Sequence, residues 1–166
     1  MTEHEAVTAS RRIGAAAADI FRVLADPARH QDLDGSGMLR GAVSEGPVTG
    51  IGDVFTMKMH YSEHGDYQMD NHVVVYEPDR RIGWEPEAGL GHPDQDAPDA
   101  RWGHRWIFEL QPDGPDATVV TETYDCSRAP EQEQAAMNGG RMWIEAMSRT
   151  LQRLDEACTS PGSGSP

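Results

Sequence analysis

The sequence predicts an α+β domain in which a seven-stranded antiparallel sheet packs against a long C-terminal helix, with two short helices after the first strand. Three observations predict it. Apolar residues recur at helical spacing from Ala17 to Leu24, at a spacing of two from about Met38 to Cys126, and at helical spacing again from Ala136 to Leu154. Turn residues punctuate the middle stretch at short intervals, which suits strands joined by hairpins rather than by crossover helices. The 166 residues amount to one domain, long enough to bury roughly two thirds of the surface its unfolded chain exposes.

The first strand is expected over Glu5 to Arg12. An alanine-rich helix follows, with Ala17, Ile20, Phe21 and Leu24 on one face, and meets Asp26-Pro27. Proline lacks the amide donor and clashes with the turn before it, so this helix stops there, while the fixed φ of proline suits the start of a second helix capped by Asp26. Two short helices in a V result. Further strands are expected over Met38 to Ser44, Val54 to Tyr61, Tyr67 to Glu77, Arg81 to Glu85, Trp102 to Gln111 and Thr118 to Cys126. His64-Gly65 fits a two-residue hairpin, Pro78 to Arg81 a tight turn and Pro112 to Pro115 another, which makes the later strands an antiparallel meander. From about Glu131 to Ala157, the positions Ala136, Gly140, Trp143, Met147, Leu151 and Leu154 mark a long amphipathic helix. Gly139-Gly140 lies in its first half and each glycine costs about 1 kcal/mol relative to alanine, so the first turns fray, kink, or begin only after the pair. Residues 1–158 are thus expected as one domain and 159–166, which end in SPGSGSP, as a disordered tail.

Charge excludes some function classes. Twenty-eight Asp plus Glu stand against 14 Lys plus Arg, a net of -14 that repels phosphate backbones and anionic headgroups. Neither nucleic acid nor a membrane is expected as a partner. No apolar run approaches the roughly 18 residues of a membrane span, and MTEHEAVTAS lacks a signal-peptide pattern, so a cytoplasmic protein is expected. Cys126 and Cys158 form no disulfide or zinc pattern.

The segments RRIGAAAADIFRVLADPARHQDLDGSG (Arg11 to Gly37), EPDRRIGW (Glu77 to Trp84), RWIFELQPDG (Arg105 to Gly114), VVTETYD (Val119 to Asp125) and the RMWIEAM-to-LQRL helix together resemble a polyketide cyclase/dehydrase-like protein. That group lies in the START and Bet v 1-like (SRPBCC) superfamily. The resemblance runs from about Val7 to Leu154 and implies a helix-grip fold, a sheet curled around the long helix with a cavity between them.

Alternation suggests which side chains face that cavity, since paired positions on neighbouring strands share a face. On the third strand the apolar row is Phe55, Met57, Met59 and Tyr61. A two-residue turn at His64-Gly65 pairs Phe55 with Val74 and Met57 with His72, so the fourth strand turns Asp70, His72, Val74 and Tyr76 inward. Tyr76 then meets Ile82, and Val74 meets Trp84. The sixth strand offers Trp102, His104, Trp106, Phe108 and Leu110, and the helix adds Trp143 and Met147. Val119 and Val120 leave the seventh strand open by pattern. The resemblance implies Val120, Glu122 and Tyr124 inward.

The outcome is an aromatic and methionine-rich pocket that contains Asp70, His72, His104, Glu122 and Tyr124, a mix suited to a ligand whose orientation a few polar groups set. If the sixth and seventh strands pair with residue numbers summing to 228, His104 and Glu122 are diagonal neighbours; with a sum of 230 they are too far apart. No metal is expected, because His60 and His72 fall on opposite faces and His64 in a turn. No nucleophile elbow and no phosphate loop occur in the context they require, and no cofactor is expected. The acidic stretch Glu85 to Asp99 is expected in solvent, and Glu85 to Gly103 as a loop that either covers the cavity mouth or lies free.

Two functions follow. One is an aromatase/cyclase-type enzyme, as the resemblance implies, that folds a polyketide-like intermediate for aldol cyclisation and dehydration. There His104 or Glu122 is the base, Asp70 or His72 a second proton carrier, and a tyrosine hydroxyl polarises the carbonyl. The other is a carrier for an apolar or aromatic small molecule. Either works as a monomer or homodimer.

Overall fold

A computed structural model describes residues 6–96, 101, 103–136 and 138–159. The chain runs β1 (Val7–Ile13), α1 (Ala17–Leu24), α2 (Pro27–Leu33), β2 (Leu39–Ala42), β3 (Val54–Tyr61), β4 (Gly65–Glu77), β5 (Arg81–Ala88), β6 (Arg105–Pro112), β7 (Thr118–Asp125), α3 (Glu131–Ala136), a 3-10 segment (Asn138–Trp143) and α4 (Ile144–Thr159). The seven strands form one antiparallel sheet in the order β1-β7-β6-β5-β4-β3-β2. Strands β3 to β7 are the expected meander, and β1 closes against β7 by a long connection through both helices and β2.

The V forms for the reasons its sequence gives. Asp26 accepts the amide of Ala28 at 3.1 Å and Pro27 occupies the first turn of α2. Helix α1 buries Ile20, Phe21, Val23 and Leu24. Helix α4 buries Met147, Leu151 and Leu154 in the core with Ile13, Phe55, Ile82 and Val120. The loop after α2 approaches it closely: Gly35 donates its amide to Thr150 at 3.0 Å, and a Cβ there would meet the backbone of α4.

The C-terminal stretch is not one helix. Gly139 and Gly140 take left-handed φ values of 66° and 95°, which break the helical ladder and separate α3 from α4. A second reason requires glycine at 140, since an added Cβ would sit 2.6 Å from Cε1 of the Tyr124 ring and nearer still to Cδ1. Gly140→Ala should therefore lower stability by roughly 2 kcal/mol, combining overpacking with a disfavoured φ. Denaturant titration checks it, and an unchanged midpoint would show that the ring can yield. At the other end α4 continues through Thr159, whose hydroxyl donates to the Asp155 carbonyl at 2.7 Å, one residue into the expected tail. The rest of the tail, 160–166, and Trp102 lie outside the described residues.

The β3–β4 hairpin corrects an expected register. Its turn holds three residues, Ser62 to His64, and Tyr61 pairs with Gly65 at φ 73°. Phe55 thus faces Asn71 and Met57 faces Met69. The change of parity turns β4 over: Tyr67, Met69, Asn71 and Val73 point inward, while Asp70 and His72 point outward. Asp70 accepts from the Thr56 hydroxyl at 2.7 Å, and His72 pairs with Glu87 at 2.9 Å. A bulge between Val73 and Val75 then restores the parity, so Tyr76 meets Ile82 as expected, whereas Val73 rather than Val74 meets Trp84.

Candidate functional site

Between the sheet and α4 lies a cavity of about 600 Å³. Phe55, Met57, Met59 and Tyr61 of β3, Trp84 of β5, Trp106 and Phe108 of β6, and Trp143 and Met147 line it, as do His104, Glu122 and Tyr124. Val74 and Tyr76 do not. Val74 is the bulged residue, and Tyr76 packs edge-on to Phe21 in the core, with ring centroids 5.4 Å apart. Aromatic rings form the walls: Trp84 lies 5.3 Å from Phe55 and 5.8 Å from Phe108, and Trp106 lies 4.6 Å from Tyr124 and 5.7 Å from Trp143.

Strand β7 carries the chemistry. Thr118, Val120, Glu122 and Tyr124 are all buried, the inward row that the resemblance implied. Glu122 is 4% exposed, and its Oε1 has no hydrogen-bond partner. Burial, with a smaller contribution from the Asp34 charge, pushes its carboxyl up to about 8, so at neutral pH it is mostly a protonated acid.

Strands β6 and β7 pair with a residue sum of 230, Phe108 facing Glu122 and Trp106 facing Tyr124. His104 and Glu122 therefore do not form a pair. His104 instead places Nδ1 on the Tyr124 hydroxyl and Nε2 3.1 Å from Oε2 of Glu133, at the start of α3. An ionised carboxylate only accepts hydrogen bonds, so Nε2 carries a proton, and in the neutral ring Nδ1 accepts from Tyr124. The result is a chain from half-exposed Glu133 through His104 to buried Tyr124. Burial raises the Tyr124 hydroxyl well above the usual phenol range and keeps it protonated.

Several lining residues escape alternation arguments. His30 donates from Nε2 to the Leu24 carbonyl at 2.7 Å and stacks on Trp84, and burial lowers its pKa. Asn71 and Tyr67 enter with the corrected register, while His64 and His92 meet at one end with centroids 5.2 Å apart. The acidic stretch is only partly a solvent loop. Its first residues extend β5, and Glu85 is buried, clamped by Arg101 at 2.6 Å and Arg105 at 2.9 Å. Burial alone would raise the Glu85 pKa, but the two guanidiniums hold it below the usual range. Residues 97–100 of the supposed lid lie outside the described residues.

No family model matches the chain. The uncharacterized protein Rv0088 of Mycobacterium tuberculosis H37Rv is 34% identical over 119 residues, 72% of this chain and 46% of that protein. A second M. tuberculosis sequence, the uncharacterized protein MT0096 of strain CDC 1551, is 33% identical over the same shares. The chain thus spans about half the length of the curated relatives it matches. Among solved structures, protein CV1439 from Chromobacterium violaceum superposes with a TM-score of 0.65 at 14% identity, covering 95% of this chain and 99% of that one. A protein from Arthrobacter aurescens gives 0.68 at 12% identity, over 96% and 88%. The Aha1 dimer from Colwellia psychrerythraea gives 0.60 at 16%, over 97% and 99%. The fold is a helix grip. At such identities the structural likeness carries the fold alone. Among the described residues no helix is long and apolar enough to cross a membrane.

Proposed function

We propose that the chain binds a small, largely apolar molecule in this cavity and moves a proton on it through Tyr124, His104 and Glu133, the chemistry of an aldol-type cyclisation or dehydration of a polyketide-like intermediate. The observation that carries the reading is the carboxylate–imidazole–phenol chain ending inside an aromatic cavity. Tyr124 gives its proton to Nδ1 of His104 as its oxygen takes the α-proton of the substrate, and the imidazolium so formed is stabilised by Glu133. The return of that proton through Tyr124 to the new alkoxide completes an aldol step, and to a departing hydroxide completes a dehydration. Glu122, two residues along β7 on the same face, holds the substrate by its one polar end.

A second reading is a carrier without chemistry. It is favoured by the same chain, because His104 and Tyr124 satisfy each other without a ligand. Mass spectrometry of the purified protein for a retained small molecule would supply the compound to test. With it, Tyr124→Phe and His104→Ala should each cut turnover by about 100-fold while binding persists. Turnover unchanged in both variants would remove the proton chain from the mechanism, and binding without conversion in the wild type would establish the carrier.

A further inference from the structure

The cavity is acidic as well as aromatic. Among the described residues Asp34, Asp94, Glu122 and Glu133 line it, and no lysine or arginine does. The three carboxylates other than Glu122 have their own surroundings: Asp34 holds the Ser36 and Leu39 amides, Asp94 lies at the end where His92 sits, and Glu133 is paired with His104. Glu122 differs. It is 96% buried, since 4% of it is exposed; it lines the cavity, and its Oε1 has no hydrogen bond. A buried carboxyl group left unsatisfied costs up to several kcal/mol, so a ligand that answers it gains in affinity.

The rings around this carboxyl indicate what that occupant is. Phe108 is directly opposite Glu122 across the β6–β7 ladder, and Tyr124 is two residues along its own strand. Trp84 and Trp106 are paired across β5 and β6, and Trp143 closes on Trp106 and Tyr124. Aromatic faces attract cations, and a buried carboxylate attracts them more strongly still. A wholly apolar ligand uses the rings but leaves the acid unanswered, a neutral ligand with one polar end answers it with a hydrogen bond alone, and an anionic ligand is repelled by it and by the net charge of -14; a cation uses both the rings and the charge.

We infer that the ligand of this cavity is an organic cation, an apolar or aromatic amine or quaternary ammonium whose positive charge sits among the rings against the Glu122 carboxylate. This rests on the cavity being a ligand site, and it narrows the substrate of the proposed reaction to one that carries an amino or ammonium group. Among the described residues no cation already answers Glu122. His104 lies four residues along from Phe108, and its two ring nitrogens are engaged with Tyr124 and Glu133; His30 is held neutral by burial, with one nitrogen on the Leu24 carbonyl. His64 and His92 sit together at another end beside Tyr67. Among the described residues the charge that adds to the effect of burial on Glu122 is Asp34, which is also negative. The amine therefore takes the place of the proton on Glu122.

The test compares two probes of one shape, benzyltrimethylammonium and its uncharged carbon isostere neopentylbenzene, followed by tryptophan fluorescence. The cation is expected to bind at least 10-fold more tightly to the wild type. Calorimetry at pH 7 in two buffers of different ionisation heat should show close to one proton released per cation bound and none with the neutral probe. Glu122→Gln should bring the two affinities within about twofold and abolish proton release. Equal affinities in the wild type would overturn the inference while leaving the cavity as a ligand site. A preference that survives Glu122→Gln would overturn it too, by placing the charge elsewhere. If neither probe binds, the inference and the cavity reading fall together.

Discussion

A chain ended at Trp143, before α4, is expected to show no cooperative unfolding transition. The helix supplies Met147, Leu151 and Leu154, each almost fully buried, and burying each contributes roughly 2 kcal/mol or more. Its loss also opens the core that it shares with Ile13, Leu24 and Val120, and removes the partners of Gly35 and Arg11, which bond to Thr150 and Asp155. These losses together reach the whole stability of about 5 to 15 kcal/mol that a domain of this size has. Near-ultraviolet circular dichroism and a thermal melt check it. A sharp melt from the shortened chain would mean that the sheet and the helical V hold a core by themselves.

Much of this fold was legible because its periods are strong. The bounds of β3, the capped V at Asp26-Pro27 and the buried faces of α1 and α4 all follow from local rules that tertiary packing did not override. The inward rows of β6 and β7 followed too, the first from its pattern and the second from the resemblance. What was not legible depends on single-residue geometry. Val73, Val74 and Val75 are all apolar, so nothing in the pattern locates the bulge among them. His64-Gly65 reads equally as a two-residue turn or as the end of a three-residue turn with a left-handed glycine, and the difference of one residue sent Asp70 and His72 to the outer face and brought Asn71 in. The sum of 230 on β6 and β7 was one of two allowed registers, and it separated His104 from Glu122. Glu133 stood in the first turns of a helix that the glycine pair was expected to fray, kink or delay, with nothing in the pattern to say where those turns would lie. Only the break at Gly139-Gly140 lets α3 fold back toward His104, and that contact spans 29 residues of chain, out of reach of any local argument.

Glu122→Gln should stabilise the protein at neutral pH and above, and the sign follows from its proton. The carboxyl has an ordinary pKa of 4.5 in the unfolded chain and about 8 in the fold, where burial disfavours its charge. Between those values the folded protein keeps a proton that the unfolded chain has released, so stability falls as pH rises through the window and levels off above it. At pH 7 the cost is roughly 3 kcal/mol, taking about 1.4 kcal/mol per pH unit over the interval above 4.5. Glutamine occupies the same space and does not titrate. The variant should match the wild type near pH 4.5, exceed it by about 3 kcal/mol at pH 7, and melt roughly 6 to 12 °C higher there. Denaturant titrations at several pH values decide it. Parallel curves for the two proteins would mean that Glu122 ionises freely in the fold, and a free carboxylate would leave the cavity with no proton for a bound amine to displace.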